Sequence, residues 1–144
     1  MQWTHSDYVL VDETARMDLE AVTELLHATY WAAERTRETI AKTIQHSLNF
    51  GLFRAGRQVG FARVVTDRAT VGYLCDVVIA PEHRGHGMGK WLLQTILDHP
   101  ELQGCRIDLF TKDAQEFYRQ FGFGPHRFTN LVRYPADYRG GGAR

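Results

Sequence analysis

The sequence predicts a mixed α/β fold in which helices flank a mainly antiparallel sheet. Three observations carry that prediction. Strand-like apolar runs follow one another closely between residues 48 and 79, separated by turn-length gaps. Segments of helical period stand on both sides of this block. In the second half, strand, helix and strand alternate, the order of a parallel crossover unit. At 144 residues the chain suits one domain, taken as 1–137 with a flexible tail at 138–144. That length buries enough surface for a core without disulfides or metal.

In chain order, Tyr8–Val11 is a short apolar strand. Residues 17–30 form a helix, with Leu19, Val22, Leu25, Leu26 and Thr29 on one face. A second helix runs from about Arg37 to His46, with Thr36 as N-cap and Ile40 and Ile44 one turn apart. Leu48–Arg54 and Gln58–Thr66 make a hairpin about Ala55-Gly56-Arg57. Thr70–Ile79 is the third strand of the block; its second half is nearly all apolar, which implies burial on both faces, and Asp76 is the exception. Pro81 closes it, and a helix carrying Trp91, Leu92, Leu93, Ile96 and Leu97 runs until His99-Pro100. Arg106–Thr111 is a strand, Asp113–Phe121 a helix ending at Gly122, and Phe123–Arg133 a last extended segment.

Composition excludes several classes of function. Apolar residues are 44% and charged residues 24%, so the chain is neither disordered nor fibrous. Seventeen basic residues balance seventeen acidic ones, and neither half forms a basic arm, so nucleic acid and anionic membrane are not expected partners. There is no stretch of membrane-spanning length and no charged-then-apolar leader at the start, which makes the cytoplasm the expected compartment. Cys75 and Cys105 read as small apolar residues in a reducing environment rather than a disulfide. His83 and His86 have His-x-x-His spacing but no third ligand nearby, so no metal is expected. No nucleophile elbow or Ser-His-Asp order appears, which disfavours covalent catalysis.

The most informative segment is Arg84-Gly85-His86-Gly87-Met88-Gly89-Lys90, between the third strand and its helix. Glycines admit close approach of a ligand to the backbone, and the first N–H groups of a helix lack internal partners, so the segment suits a phosphate or pyrophosphate. Gly89-Lys90 is followed by Trp91, so the Walker hydroxyl is missing; the dinucleotide pattern needs a glycine where Lys90 stands.

Arg84, Gly87 and Gly89 satisfy Arg-x-x-Gly-x-Gly after a strand, and Tyr118-Arg119-Gln120-Phe121-Gly122-Phe123 carries Tyr-x-x-x-Gly-Phe about thirty residues on. Together these resemble the two signatures of the GNAT N-acetyltransferase superfamily, and the element order extends the resemblance over roughly 7–130. The resemblance implies acetyl-CoA as acyl donor. It assigns the pantetheine arm to backbone groups of Val77, Val78 and Ile79, beside a splayed strand pair, and the pyrophosphate to amides from Arg84 through Lys90. Tyr118 is then the acid that protonates the leaving thiolate, and the Ile79 N–H the candidate oxyanion donor. Thr111 departs from the asparagine of many members.

Asp76 has two readings, an acceptor-side catalytic carboxylate or a structural hydrogen-bonding group. A regular strand would turn it away from Cys75 and Val77; a bulge would break that rule. The resemblance also assigns the acceptor pocket to the connection between the first two helices. There Tyr30 and Trp31 supply stacking, Glu34 would attract a cationic amine, and Arg35 would hold a carboxylate. The reading that results is a small-molecule amine N-acetyltransferase. A non-catalytic acyl-CoA sensor and a protein or peptide acetyltransferase stay open, as does a homodimer, dimers being common in the family.

Overall fold

The structure, a computed structural model, describes residues 1–138. Its strands are β1 (Gln2–His5), β2 (Tyr8–Val11), β3 (Leu48–Arg54), β4 (Arg57–Thr66), β5 (Val71–Ile79) and β6 (Arg106–Asp108). They form one sheet in sequence order, antiparallel throughout except for the parallel pair β5–β6. The helices are α1 (Leu19–His27), α2 (Arg37–Gln45), α3 (Met88–Leu97) and α4 (Gln115–Arg119). Mixed architecture, mainly antiparallel sheet and flanking helices are all as the sequence predicts.

Local chemistry sets the boundaries. The Asp18 carboxylate accepts from the N–H groups of Glu20 and Ala21, so α1 starts at Leu19 rather than residue 17. Thr36 caps α2 through the Thr39 N–H, as expected. β1 is an addition: a polar, mostly exposed strand joined to β2 through Ser6, whose φ is 54°. Polar alternation at a chain end gives almost no periodic signal.

The sheet separates two apolar layers. Leu10, Phe50, Leu52, Val64 and Leu74 pack against Leu92, Leu93 and Ile96 of α3. On the other face Phe61 and Val78 meet Val22 and Leu26 of α1 and Ile40 and Ile44 of α2. Cys75 and Cys105 are not joined by a disulfide. No helix among the described residues is long and apolar enough to cross a membrane.

The second half departs most from expectation. The strand at 106–111 stops at Asp108, because β6 pairs with β5 only over Val71–Tyr73 and then separates from it. The helix predicted over 113–121 shortens to Gln115–Arg119. Residues 123–133 form no strand: Phe128, Leu131 and Val132 are exposed, and among the described residues no neighbouring strand supplies ladder partners. The tail at 138–144 lies outside the described residues after Tyr138.

Candidate active site

The site grows from an irregularity in β5. Arg63 of β4 pairs with Cys75, yet Phe61 pairs with Val78, so β5 holds one residue more than β4 across this interval. Asp76 sits in that bulge with φ 57°, a left-handed conformation uncommon for a residue with a side chain. The extra residue shifts the pleat. Leu74 joins the α3 layer while Val78, four residues on, joins the α1/α2 layer, and Val77 and Ile79 pack with Leu74. Asp76 therefore turns toward the α1–α2 connection.

There its carboxylate is fully committed. Oδ2 accepts from Arg35 Nη1 at 2.6 Å and Arg63 Nε at 2.6 Å, and Oδ1 from the Trp31 indole at 3.0 Å. Arg63 also donates to the Ser47 hydroxyl at 3.3 Å. Burial pushes the Asp76 carboxyl up, but the Arg35 hydrogen bond and the charges of Arg63 and Arg35 outweigh it and hold the pKa below the ordinary aspartate value. A carboxylate so held is a poor proton acceptor at neutral pH. Of the two sequence readings, the geometry is that of the structural one, and a general-base role for Asp76 does not fit it. Arg35, bound to Asp76 and with a side chain only 6% exposed, does not line the cavity in which it was expected to hold a substrate carboxylate.

Beyond the bulge, β5 has a bare edge. Ala80 N–H donates to Val59 C=O at 2.8 Å, so alternation turns Val78 toward β4, and Ile79 and Val77 to the opposite edge. The backbone of Val78 is thus spent in the sheet, contrary to its assignment to a ligand. The Ile79 carbonyl accepts from Arg84 Nε at 2.8 Å.

The glycine segment opens α3. Gly87 is its N-cap with φ 78°, and Gly85 has φ 81°. The first helical bond is Trp91 N–H to Gly87 C=O at 3.1 Å, so the Met88, Gly89 and Lys90 amides precede the ladder, and no side chain caps them. Met88 is buried in the α3 layer and offers only its backbone, whereas His86 and Lys90 are exposed. One member of the expected amide row drops out: Arg84 N–H is bonded to Pro81 C=O at 3.2 Å. Nearby, His83 Nδ1 and the Tyr8 hydroxyl share a hydrogen bond at 2.8 Å.

Two cavities flank the bare edge. One of about 660 Å³ lies between α1, the β3–β4 turn and residues 78–84, and reaches Ile79 and Arg84. The other, about 170 Å³, lies where β5 and β6 separate, walled by Tyr30, Trp31, Val77, Phe110, Thr111 and Tyr118 among others. Tyr30 and Trp31 meet edge to face at 5.1 Å, and Lys112 Nζ sits 5.3 Å from the Tyr30 ring centroid. The Thr111 hydroxyl accepts from Ala114 N–H at 3.0 Å and shapes the entry to α4. Burial, with a smaller contribution from Tyr30, pushes the Tyr118 phenol above its usual pKa, so it stays protonated and able to donate.

Sequence reasoning missed Arg63, Phe110 and Leu109. Arg63 had a usable signal, a charge inside the apolar alternation of β4 one strand from Asp76.

Comparison with known proteins decides the family. Residues 11–123 match the Acetyltransferase (GNAT) family. The chain belongs to the GNAT acetyltransferase family. A Gibberella zeae protein named as an acetyltransferase is 31% identical over 140 residues, covering 81% of this chain and 78% of its own. An N-acetyltransferase by name, ycf52 of Porphyra purpurea, is 30% identical over 136 residues, covering 88% and 78%. Among solved structures, a GNAT-family protein of Xanthomonas campestris pv. campestris superposes with a TM-score of 0.86 at 39% identity, covering 92% of this chain and 94% of its own.

Proposed function

We propose that this protein transfers an acetyl group from acetyl-CoA to the primary amine of a small molecule. One observation carries the reading. The uncapped amides of Met88, Gly89 and Lys90 open α3 where Gly89 lies against Ile79 and Phe117, the larger cavity reaches Ile79 and Arg84, and the smaller one joins Val77 of the bare edge to Tyr118. Helix-terminal amides suit a diphosphate, and an unpaired strand edge suits an amide-bearing arm. A cavity of about 170 Å³ has room for a thioester and a small amine but not for a whole nucleotide.

Acetyl-CoA supplies an activated thioester carbonyl. The Val77 N–H, rather than that of Ile79, is the donor for the developing oxyanion, since Val77 lines the cavity with Tyr118 and Ile79 does not. Tyr118 donates its phenolic proton to the departing sulfur. The amine loses its proton to water, Asp76 being committed elsewhere. Tyr30 and Trp31 form the acceptor wall. Without a free Arg35, an acceptor lacking a carboxylate fits this wall better than an amino acid.

Titration calorimetry with acetyl-CoA and thiol-release assays over a panel of primary amines and amino-terminal peptides test the reading. Expected are acetyl-CoA binding and thiol release with small amines. Binding without release for any amine would support a sensor instead, and release with peptides alone would move the acceptor to protein. No binding would overturn the whole assignment.

A further inference from the structure

We infer that Asp76 couples donor binding to the acceptor wall: its carboxylate locks the α1–α2 connection onto the bulge of β5, so that occupying the donor edge orders the acceptor side. The inference rests on the proposed function for what binds at that edge, but the lock itself stands on geometry. One residue belongs to both halves. Its backbone forms the bulge and immediately precedes Val77 on the bare edge. Its side chain holds Trp31 and Arg35 through contacts 45 and 41 residues apart in sequence.

The connection at 28–36 is otherwise held by buried Ala32 and by short-range bonds, Ala32 N–H to the Thr29 hydroxyl at 3.2 Å and Arg35 N–H to Ala32 C=O at 3.1 Å. Tyr30 is 46% exposed and reaches the Lys112 backbone, and His27 Nε2 donates to Arg35 C=O at 2.7 Å. The carboxylate, by contrast, is fully buried between Arg35 and Arg63. Arg35 Nη2 is buried without a hydrogen-bond partner, so Asp76 carries nearly all of that guanidinium's compensation. The bulge conformation and the wall therefore hold each other. A ligand that fixes Val77 and Ile79 stabilises φ at Asp76, and through its carboxylate the Trp31 indole of the wall and the Arg35 guanidinium behind it. This is a positioning role: Asp76 borders the smaller cavity, but its carboxylate oxygens are engaged by Arg35, Arg63 and Trp31.

Removing Asp76 outright would strand two buried cations and could prevent folding. The test therefore cuts the lock from the wall side, with Arg35→Met and Trp31→Phe, which leave the Arg63–Asp76 pair in place. Amide hydrogen exchange over residues 28–36 is followed with and without saturating acetyl-CoA. In the wild type, acetyl-CoA should slow exchange there by about tenfold. In Arg35→Met the apo segment should exchange about tenfold faster, and acetyl-CoA should no longer protect it, while acetyl-CoA affinity stays within about twofold. Trp31→Phe should show the same pattern more weakly. Equal protection in wild type and variants, or unchanged apo exchange in Arg35→Met, would overturn the coupling. If acetyl-CoA does not bind at all, the proposed function fails, and the apo exchange of Arg35→Met still decides whether the lock exists.

Discussion

Tyr118 and Asp76 are both partly defined by burial, with opposite consequences. Burial raises the Tyr118 pKa and nothing ionic opposes it, so the phenol remains a donor across the physiological range. Tyr118→Phe should lower turnover by about a hundredfold while acetyl-CoA affinity changes little, since the lost group acts on the leaving sulfur. Stopped-flow thiol release and calorimetry separate the two effects. In the wild type the rate should rise with pH as the amine deprotonates, and should not fall until above about pH 10. At Asp76 the two guanidiniums win over burial, and the folded pKa lies below the unfolded value of about 3.9. Its stabilisation is thus complete above that pH and is lost as pH falls through the folded pKa. Urea midpoints should drop steeply below about pH 4 in the wild type. Asp76→Asn should start about 3–5 kcal/mol less stable at neutral pH and show a flatter acid limb.

At the scale of elements, the start of α3 offers a clean separation of fold from ligand. Gly87 needs its positive φ, so Gly87→Ala should cost about 1 kcal/mol and disturb the amide row together. Gly89 has no such need. A Cβ there would meet Phe117 at 3.7 Å and Ile79 at 3.8 Å, ordinary contact distances, and the position lies inside the helix. Gly89→Ala should leave the melting temperature equal or slightly higher, because alanine is the better helix former by about 1 kcal/mol. Its acetyl-CoA affinity should nevertheless fall, since the methyl occupies the space a diphosphate needs against the amides. Unchanged affinity would separate these amides from the donor site. The glycine spacing made this element legible in the sequence. The bulge in β5 was not: Val77-Val78-Ile79 looks like an uninterrupted strand, and Asp76 alone hinted otherwise.

For the whole molecule, two apolar layers about one sheet hold the site's parts in register. Leu93 is fully buried between α3 and the sheet, and Leu93→Ala should cost about 2–5 kcal/mol in denaturant unfolding. Acetyl-CoA, binding only the folded form, should raise the melting temperature of the wild type in proportion to the logarithm of its concentration. Periodicity, caps and glycine spacing by themselves determined the order of helices and strands from Tyr8 to Arg119 and the glycine-led start of α3, because each depends on residues close together in the chain, while the candidacy of Tyr118 came from the resemblance to the family. Only the tertiary structure decided where β5 parts from β6, that Asp76 is a tie rather than a base, that Val78 spends its backbone in the sheet, and that residues 123–133 stay unpaired. Those outcomes depend on which distant group arrives beside each residue: a guanidinium 41 positions away at Asp76, and, among the described residues, no neighbouring strand beside Phe128 and Leu131.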